Sequence, residues 1–380
     1  MVSNSIYSVT YSGAIFSMLL WLIAFSYQYK LLNNKRVYFR NSSFAYMSFC
    51  IFFTVYATFE FAGGDFYNYW ETYDEYFIYH IHKHLEEYYF WLMDILPQNY
   101  FVWRFAVWTP AVFLWVIMVK HLKQNPHLAF LFLMLVPLYN FVGARQQMGF
   151  SCLYLGIALM LYKNENTFKL KAFSSNWIIG AIFILSSLIF HKSMLLYVSV
   201  FLAALIPFKR KTILITLILY PFLWISLDFF VDYFVLNVMS MNEQGMEHTM
   251  NFLKESERID VTIFGWIRTV IDKTPIWIFL SVLIYGFFFK GKQKEHIPYV
   301  QQVLLRMTYM LIYAYALFLG KDVSVFLAPR FWDAALLPMA IVLTYYFYGK
   351  ARTKLFNFCI LLLFLSKMYT YLYCLYCIGK

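Results

Sequence analysis

Apolar residues run along this chain in long, nearly charge-free blocks. Gly13–Leu32 and Ile213–Phe230 are typical, with too few charged side chains for a water-exposed surface. A helix needs roughly 20 such residues to cross the hydrocarbon core of a bilayer. The blocks predict about 12 spans, at 12–32, 43–62, 100–119, 128–144, 147–162, 176–191, 193–208, 212–231, 274–289, 299–319, 329–348 and 355–377. The joins near 145 and 192 are tight. The expected fold class is all-α: a single polytopic integral membrane domain over residues 1–380, with larger extracytoplasmic loops at about 63–99 and 232–273.

Composition agrees with that pattern. Hydrophobic residues make up 62% of the chain and charged ones 13%, about half the charge density of a soluble domain. No polar stretch is long enough to hide a nucleotide-binding domain. The net charge of +11 would suit nucleic acid if it were spread over a surface. Instead Lys and Arg fall in short clusters between the apolar blocks, as membrane topology produces, so no nucleic-acid partner is expected.

One set of loops holds Lys30, Lys35, Arg36, Arg40, Lys120, Lys123, Lys163, Lys169, Lys171, Lys209, Arg210, Lys211, Lys290, Lys292, Lys294, Lys350, Arg352 and Lys354, accompanied only by Glu165 and Glu295. The positive-inside rule makes this set cytoplasmic. The amino terminus, 63–99, 232–273 and the carboxy terminus then face outward. Met1–Ser12 lacks a basic leader region, so the first span is expected to stay in the mature protein. The cysteines all lie in apolar blocks; Cys374 and Cys377 have CxxC spacing, but no second pair or nearby His completes a zinc site.

Pro110, Pro137, Pro221 and Pro338 fall inside spans. Each removes a backbone donor, and in lipid the freed carbonyl must find another partner. Polar side chains at or inside span ends also need partners, which makes them the candidates for chemistry. Most crowd the outer side. Asp65, Tyr69 and Tyr73 in GGDFYNYWETYDEY fall on one helical face. They read as a solvated acidic loop or as a sugar-binding, acid/base surface, since aromatic rings suit sugar C–H faces. Arg145, followed by Gln146 and Gln147, ends the fourth span: a structural ion pair, or an anion site with bidentate phosphate geometry. His191 ends the sixth span in LIFHKSMLLY, either as a buried structural imidazole or as a base toward a hydroxyl nucleophile.

Arg330 opens the eleventh span in FLAPRFWDAALLP, where Pro329 fits a first helical turn. It pairs with Asp333 one turn on, or faces the same cavity as Arg145. Arg104 lies close to the outer surface, and Arg306 reads as snorkelling toward the cytoplasmic side. Arg268 sits on the amphipathic stretch VTIFGWIRTVI and is a further phosphate candidate. His80, His82, His84 and Glu87 invite a metal reading, but no tight ligand set is apparent, and no metal site is expected.

Taken in order, these polar islands resemble the EpsG family of Wzy-type polysaccharide polymerases. The likeness rests on GGDFYNYW, EEYYFW, GARQQMGFSCLYLGIALMLYK, FHKSMLLY and APRFWDAALLP, from about residue 55 to 345. The Pro-Gly that typically follows Glu in the second segment is absent. The resemblance implies a glycosyltransferase of cell-surface polysaccharide assembly (O-antigen, capsule or exopolysaccharide). It would act at the outer face of the bacterial cytoplasmic (inner) membrane, moving a growing glycan from undecaprenyl diphosphate onto a sugar hydroxyl of a lipid-linked repeat unit.

On that reading Arg145, Arg330 and Arg268 hold the diphosphate, where fixed guanidinium groups stabilise the charge of the leaving group. His191 is the first candidate base and Asp65 its rival; Tyr69, Tyr73 and Gln146 contact sugar. No cofactor is called for, and transfer is expected to be metal-independent. The partners implied are undecaprenyl-diphosphate-linked oligosaccharide, membrane lipid and a chain-length regulator. Other readings stay open: a lipid-linked oligosaccharide flippase or transporter, which should carry cations nearer mid-membrane and internal pseudo-symmetry; a polyprenyl-phosphate-dependent glycosyltransferase; or an O-acyltransferase.

Overall fold

The computed structural model describes residues 2–32, 43–59, 64–79, 87–136, 144–161, 174–191, 193–208, 210–237, 267, 270–271, 273–284, 297–319, 324–348, 350 and 353–378. Every regular element among them is an α-helix: α1 (Val2–Leu32), α2 (Ser43–Phe59), α3 (Gly64–Tyr79), α4 (Glu87–Ile95), α5 (Tyr100–His121), α6 (Pro126–Leu135), α7 (Ala144–Leu161), α8 (Ser175–Phe190), α9 (Met194–Ala204), α10 (Arg210–Asn237), α11 (Thr274–Ile284), α12 (Tyr299–Phe318), α13 (Ser324–Phe347) and α14 (Lys354–Ile378). Each apolar block of the sequence contains one of these helices, and α3 and α4 lie in the stretch 63–99. Among the described residues, Ser12–Leu32, Tyr100–His121 and Lys354–Tyr373 are long and apolar enough to cross a membrane. Seven further helices contain shorter apolar runs of 10–17 residues.

Short polar signals set the helix starts. Asn99 accepts from the backbone N–H groups of Phe101 and Val102 ahead of α5. Asn125 caps Leu128, with Pro126 opening α6, and Ser174 caps Trp177 at α8. These oxygens take up donors that a helix start leaves without intrahelical partners. Some expected boundaries move. α1 begins at Val2 rather than 12, and α6 ends at Leu135 rather than 144, so Arg145 lies in the first turn of α7 instead of ending the fourth span. α13 begins at Ser324 rather than near 329, so Pro329 lies inside the helix instead of in its first turn.

α6 occupies the centre, with every residue from Pro126 to Leu135 buried. It packs on α1, α2, α5, α13 and α14, and the Trp21 indole of α1 donates to its Met134 carbonyl at 3.3 Å. α7 and α8 approach so closely that a Cβ on Gly156 would stand 2.6 Å from the Gly180 carbonyl oxygen. A side chain at either position would push on backbone, which cannot step aside as a side-chain tip can.

Two buried cations serve helix ends. Arg104 of α5 donates to the Ala57 carbonyl near the end of α2 at 2.6 Å. Arg306 of α12 donates to Ala204 and Leu205 at the end of α9, at 3.1 and 3.4 Å, and to Gln302 at 3.1 Å. A snorkelling Arg306 was the expectation; the side chain is buried instead. The last carbonyls of α9 carry partial negative charge and lack intrahelical donors, so a guanidinium is held there.

Pro338 in α13 shows how a helix-interior proline is accommodated. It has no N–H for the Ala334 carbonyl four residues earlier. The Tyr154 phenol of α7 donates to that carbonyl at 2.6 Å, and the ring is fully buried. The proline and the tyrosine are therefore one device joining α7 to α13. Tyr154→Phe should leave a buried acceptor unmet and cost about 1–3 kcal/mol. In a Pro338→Ala background, where residue 338 regains its N–H, the same change should cost clearly less. The thermal midpoints of the four purified proteins give the coupling; equal losses in both backgrounds would contradict it.

Candidate functional site

The tight join near 192 is a true break. α8 ends at Phe190, and His191 follows in extended conformation (φ −162°, ψ 120°), its backbone N–H donating to Ser187 O. Ser193 returns to right-handed helical geometry (φ −65°, ψ −9°) and starts α9. The turn is closed by its own polar atoms. Ser193 N–H donates to His191 Nδ1 at 3.2 Å, Ser193 Oγ lies 2.7 Å from the same nitrogen, and Met194 N–H donates to His191 O at 3.0 Å. Such local bonds compete with helix continuation, which is why two apolar arms do not merge here.

One turn into α9, Tyr197 is fully buried. Its ring meets Phe150 of α7 at 5.1 Å and Phe331 of α13 at 6.4 Å. Its hydroxyl donates to the Arg330 carbonyl of α13 at 3.1 Å and accepts from Gln146 Nε2 of α7 at a long 3.5 Å. Ser193, Asp333 and the Arg330 guanidinium lie near that hydroxyl. Tyr197 thus ties together the start of α7, the α8–α9 turn and the second turn of α13. Gln146 and the Arg330 backbone, singled out separately in the sequence, meet at the Tyr197 hydroxyl. His191, in the turn ahead of α9, is bonded to Ser193, which lies one helical turn before Tyr197. The Arg330 side chain is exposed and Asp333 half-buried. Lys273, just ahead of α11, lies 4.1 Å over the Trp332 ring and 5.0 Å from the Tyr315 ring. That brings a second cation to the same turn of α13.

The other candidates are distributed as follows. Asp65 and Arg145 are each the second residue of a helix, α3 and α7. Arg268, His80, His82 and His84 lie outside the described residues. Tyr73 is buried against Phe77, Tyr100 and Trp103, with ring centroids 4.8, 5.5 and 5.9 Å apart. Tyr69 is half-buried, edge-on to Trp103 at 6.3 Å. The α3 rings therefore pack onto the start of α5. Tyr76 donates to Asp94, joining α3 to α4; that carboxylate, then burial, holds the phenol above its ordinary pKa. Tyr88 of α4 meets Phe190 edge-on at 5.3 Å, so the aromatic unit of α3 and α4 abuts the residue before His191. Among the described residues no group of three His, Cys, Asp or Glu side chains is placed to hold a metal ion.

Ser193, Tyr197 and Lys273 are the residues that sequence reasoning passed over. The four-residue spacing of Ser193 and Tyr197 after His191 was a usable signal, since it puts both on one face of the next helix. Chemically, this end of the bundle offers an exposed guanidinium at Arg330 and, in the α8–α9 turn, an imidazole whose orientation Ser193 fixes. The Lys273 ammonium lies over the buried Trp332 ring of the same helix turn as Arg330. Anion binding suits that set better than a carboxylate or thiol site would.

Tyr197→Phe keeps both ring contacts but removes the bond to Arg330 O. It should cost about 1 kcal/mol, against about 3–5 kcal/mol for Tyr197→Ala. Thermal unfolding in detergent reads both; a Phe variant as damaged as the Ala variant would assign the phenol oxygen far more than one bond. No family model, curated protein or solved structure matches the chain.

Proposed function

We propose that this chain is a polytopic membrane glycosyltransferase of the Wzy type, related to the EpsG family. It transfers a growing glycan from undecaprenyl diphosphate onto a sugar hydroxyl of a lipid-linked repeat unit, at the outer face of the bacterial cytoplasmic membrane. The observation that carries the proposal is the meeting of Gln146, the His191–Ser193 turn and Arg330 around Tyr197 at one end of the bundle. Three of the segments behind the family likeness contribute to that one place.

Twelve helices cross the membrane in this reading, with α3 and α4 on the outer side. Rows of exposed apolar side chains support it, such as Ile178, Ile182, Leu185 and Ile189 on α8 and Leu214, Ile218, Phe222 and Ile225 on α10. A water-facing surface does not carry such continuous apolar stripes, whereas lipid tails cover them without cost. The charge pattern of the loops sets the site outward.

Each group then has a role in the transfer. The glycosidic bond to the lipid diphosphate breaks as the acceptor oxygen attacks, and negative charge collects on the leaving diphosphate. Arg330 and Arg145 are the first groups to receive it, with Arg268 behind them, because pre-oriented cations stabilise developing charge without reorganising. The acceptor proton passes to a base, for which His191 and Asp65 are the two candidates. Gln146 and Tyr69 orient sugar, while Tyr73, buried against Phe77, Tyr100 and Trp103, backs the α3 face instead of contacting sugar. The lipid tails lie among the apolar helix faces, which explains a site at helix ends.

Arg330→Ala and His191→Ala should each abolish long-chain polysaccharide in cells while single repeat units still reach the surface. Chain length is read from the ladder of glycan sizes. A ladder of normal length in both variants would count against the proposal. Repeat units trapped on the inner face would point to a flippase instead.

A further inference from the structure

The α8–α9 turn selects which nitrogen of His191 carries its proton. A backbone N–H has a fixed direction, and that of Ser193 reaches Nδ1 at 3.2 Å. Nδ1 must therefore present its lone pair there. The Ser193 hydroxyl, 2.7 Å from the same nitrogen, can rotate to add its own proton to that lone pair. A proton on Nδ1 would instead oppose an N–H that cannot turn away. The neutral ring consequently keeps its proton on Nε2. The extended backbone of His191 and the helical backbone of Ser193 build this contact into the turn.

From this geometry we infer that Ser193 is a positioning residue holding His191 as an Nε2–H donor. His191 then serves the transfer by donating a hydrogen bond to an anionic oxygen of the lipid diphosphate, rather than by removing the acceptor proton. The hold by Ser193 stands on the turn alone; the diphosphate role rests on the proposed function above. An N–H donor in the network that Tyr197 shares with Arg330 adds to the stabilisation of the leaving group. The base is then a carboxylate, with Asp65 the candidate.

Two measurements on the full chain in lipid nanodiscs test the two halves separately. In the first, 15N-labelled histidine reports the ring tautomer, and His191→Gln identifies the His191 signals by difference. The wild type should give two widely separated ring-nitrogen shifts, with the pyridine-type nitrogen at Nδ1. Ser193→Ala keeps the N–H but loses the hydroxyl, and should move both shifts part of the way toward the averaged values of an exchanging ring, since the backbone N–H still favours the Nε2–H form. An averaged pair in the wild type, or a pyridine-type Nε2, overturns the inference whatever the protein does. An unchanged spectrum in Ser193→Ala overturns the part given to the hydroxyl.

The second measurement is chain growth from undecaprenyl-diphosphate-linked repeat units. Glutamine offers an amide N–H near the Nε2 position, asparagine near Nδ1. His191→Gln should stay within about tenfold of wild type, the scale of one weakened hydrogen bond. His191→Asn and His191→Ala should fall much further. Equal losses of about 10²–10⁴ for Gln and Asn, the scale of a missing base, overturn the donor role. A wild type that builds no chains sinks the proposed function and the diphosphate role with it, while the tautomer result still decides the part played by Ser193.

Discussion

Backbone carbonyls buried in an apolar bundle must be met by donors, and α13 is built around that constraint. Two of its carbonyls, one turn apart, are met by phenols from different neighbours: Ala334 O by Tyr154 of α7, and Arg330 O by Tyr197 of α9. Pro338 leaves Ala334 O without an intrahelical donor, and bulk water cannot replace Tyr154 there, so that bond is expensive to leave unmade. Arg330 O lies one turn before Ala334, which has a backbone N–H, and the Tyr197 bond is an added tie between helices. They fix the rotation and height of α13 against α7 and α9. That places the Arg330 turn beside the His191–Ser193 turn.

The same constraint recurs at the helix ends. Arg104 and Arg306 are buried cations that meet the final carbonyls of α2 and α9. Arg330, by contrast, is exposed at the cluster. Two arginines hold the frame and a third is turned toward a surface, which is the distribution expected where charge is kept for a ligand. The rings of α3, α4 and α5 form a continuous aromatic wall that reaches Phe190, the residue before His191, through Tyr88. Rigid rings and a three-residue turn, with Ser193 bonded to His191 Nδ1, leave the imidazole few orientations, and preorganisation of that kind matters more to charge stabilisation than proximity alone.

The helical blocks were legible because an unbroken apolar run of this length has few other folded solutions. What the blocks could not disclose was partnership. Pro338 announced a freed carbonyl, but its donor lies 180 residues away at Tyr154. Arg306 looked like a residue reaching for water because the end of α9 is invisible from its own neighbourhood. Tyr197 was one tyrosine among 33, and only the packing of α13 distinguishes it. Of the candidate site, Gln146, His191 and Arg330 were found as separate polar interruptions of apolar runs. Their convergence came from tertiary contacts between segments up to 133 residues apart. The helix start near 324 was missed because Pro329 fits an opening turn equally well.

The proposed function requires one surface, facing outward, that holds a lipid diphosphate. The most direct measurement is labelling of single cysteines by a membrane-impermeant maleimide in intact cells. Ser193→Cys and Arg330→Cys would be made separately, with the five native cysteines replaced. Both positions should label from outside, and added undecaprenyl diphosphate should slow labelling at both. Labelling of either position only after permeabilisation, or labelling of both with no protection by the diphosphate, would contradict a shared outward-facing site.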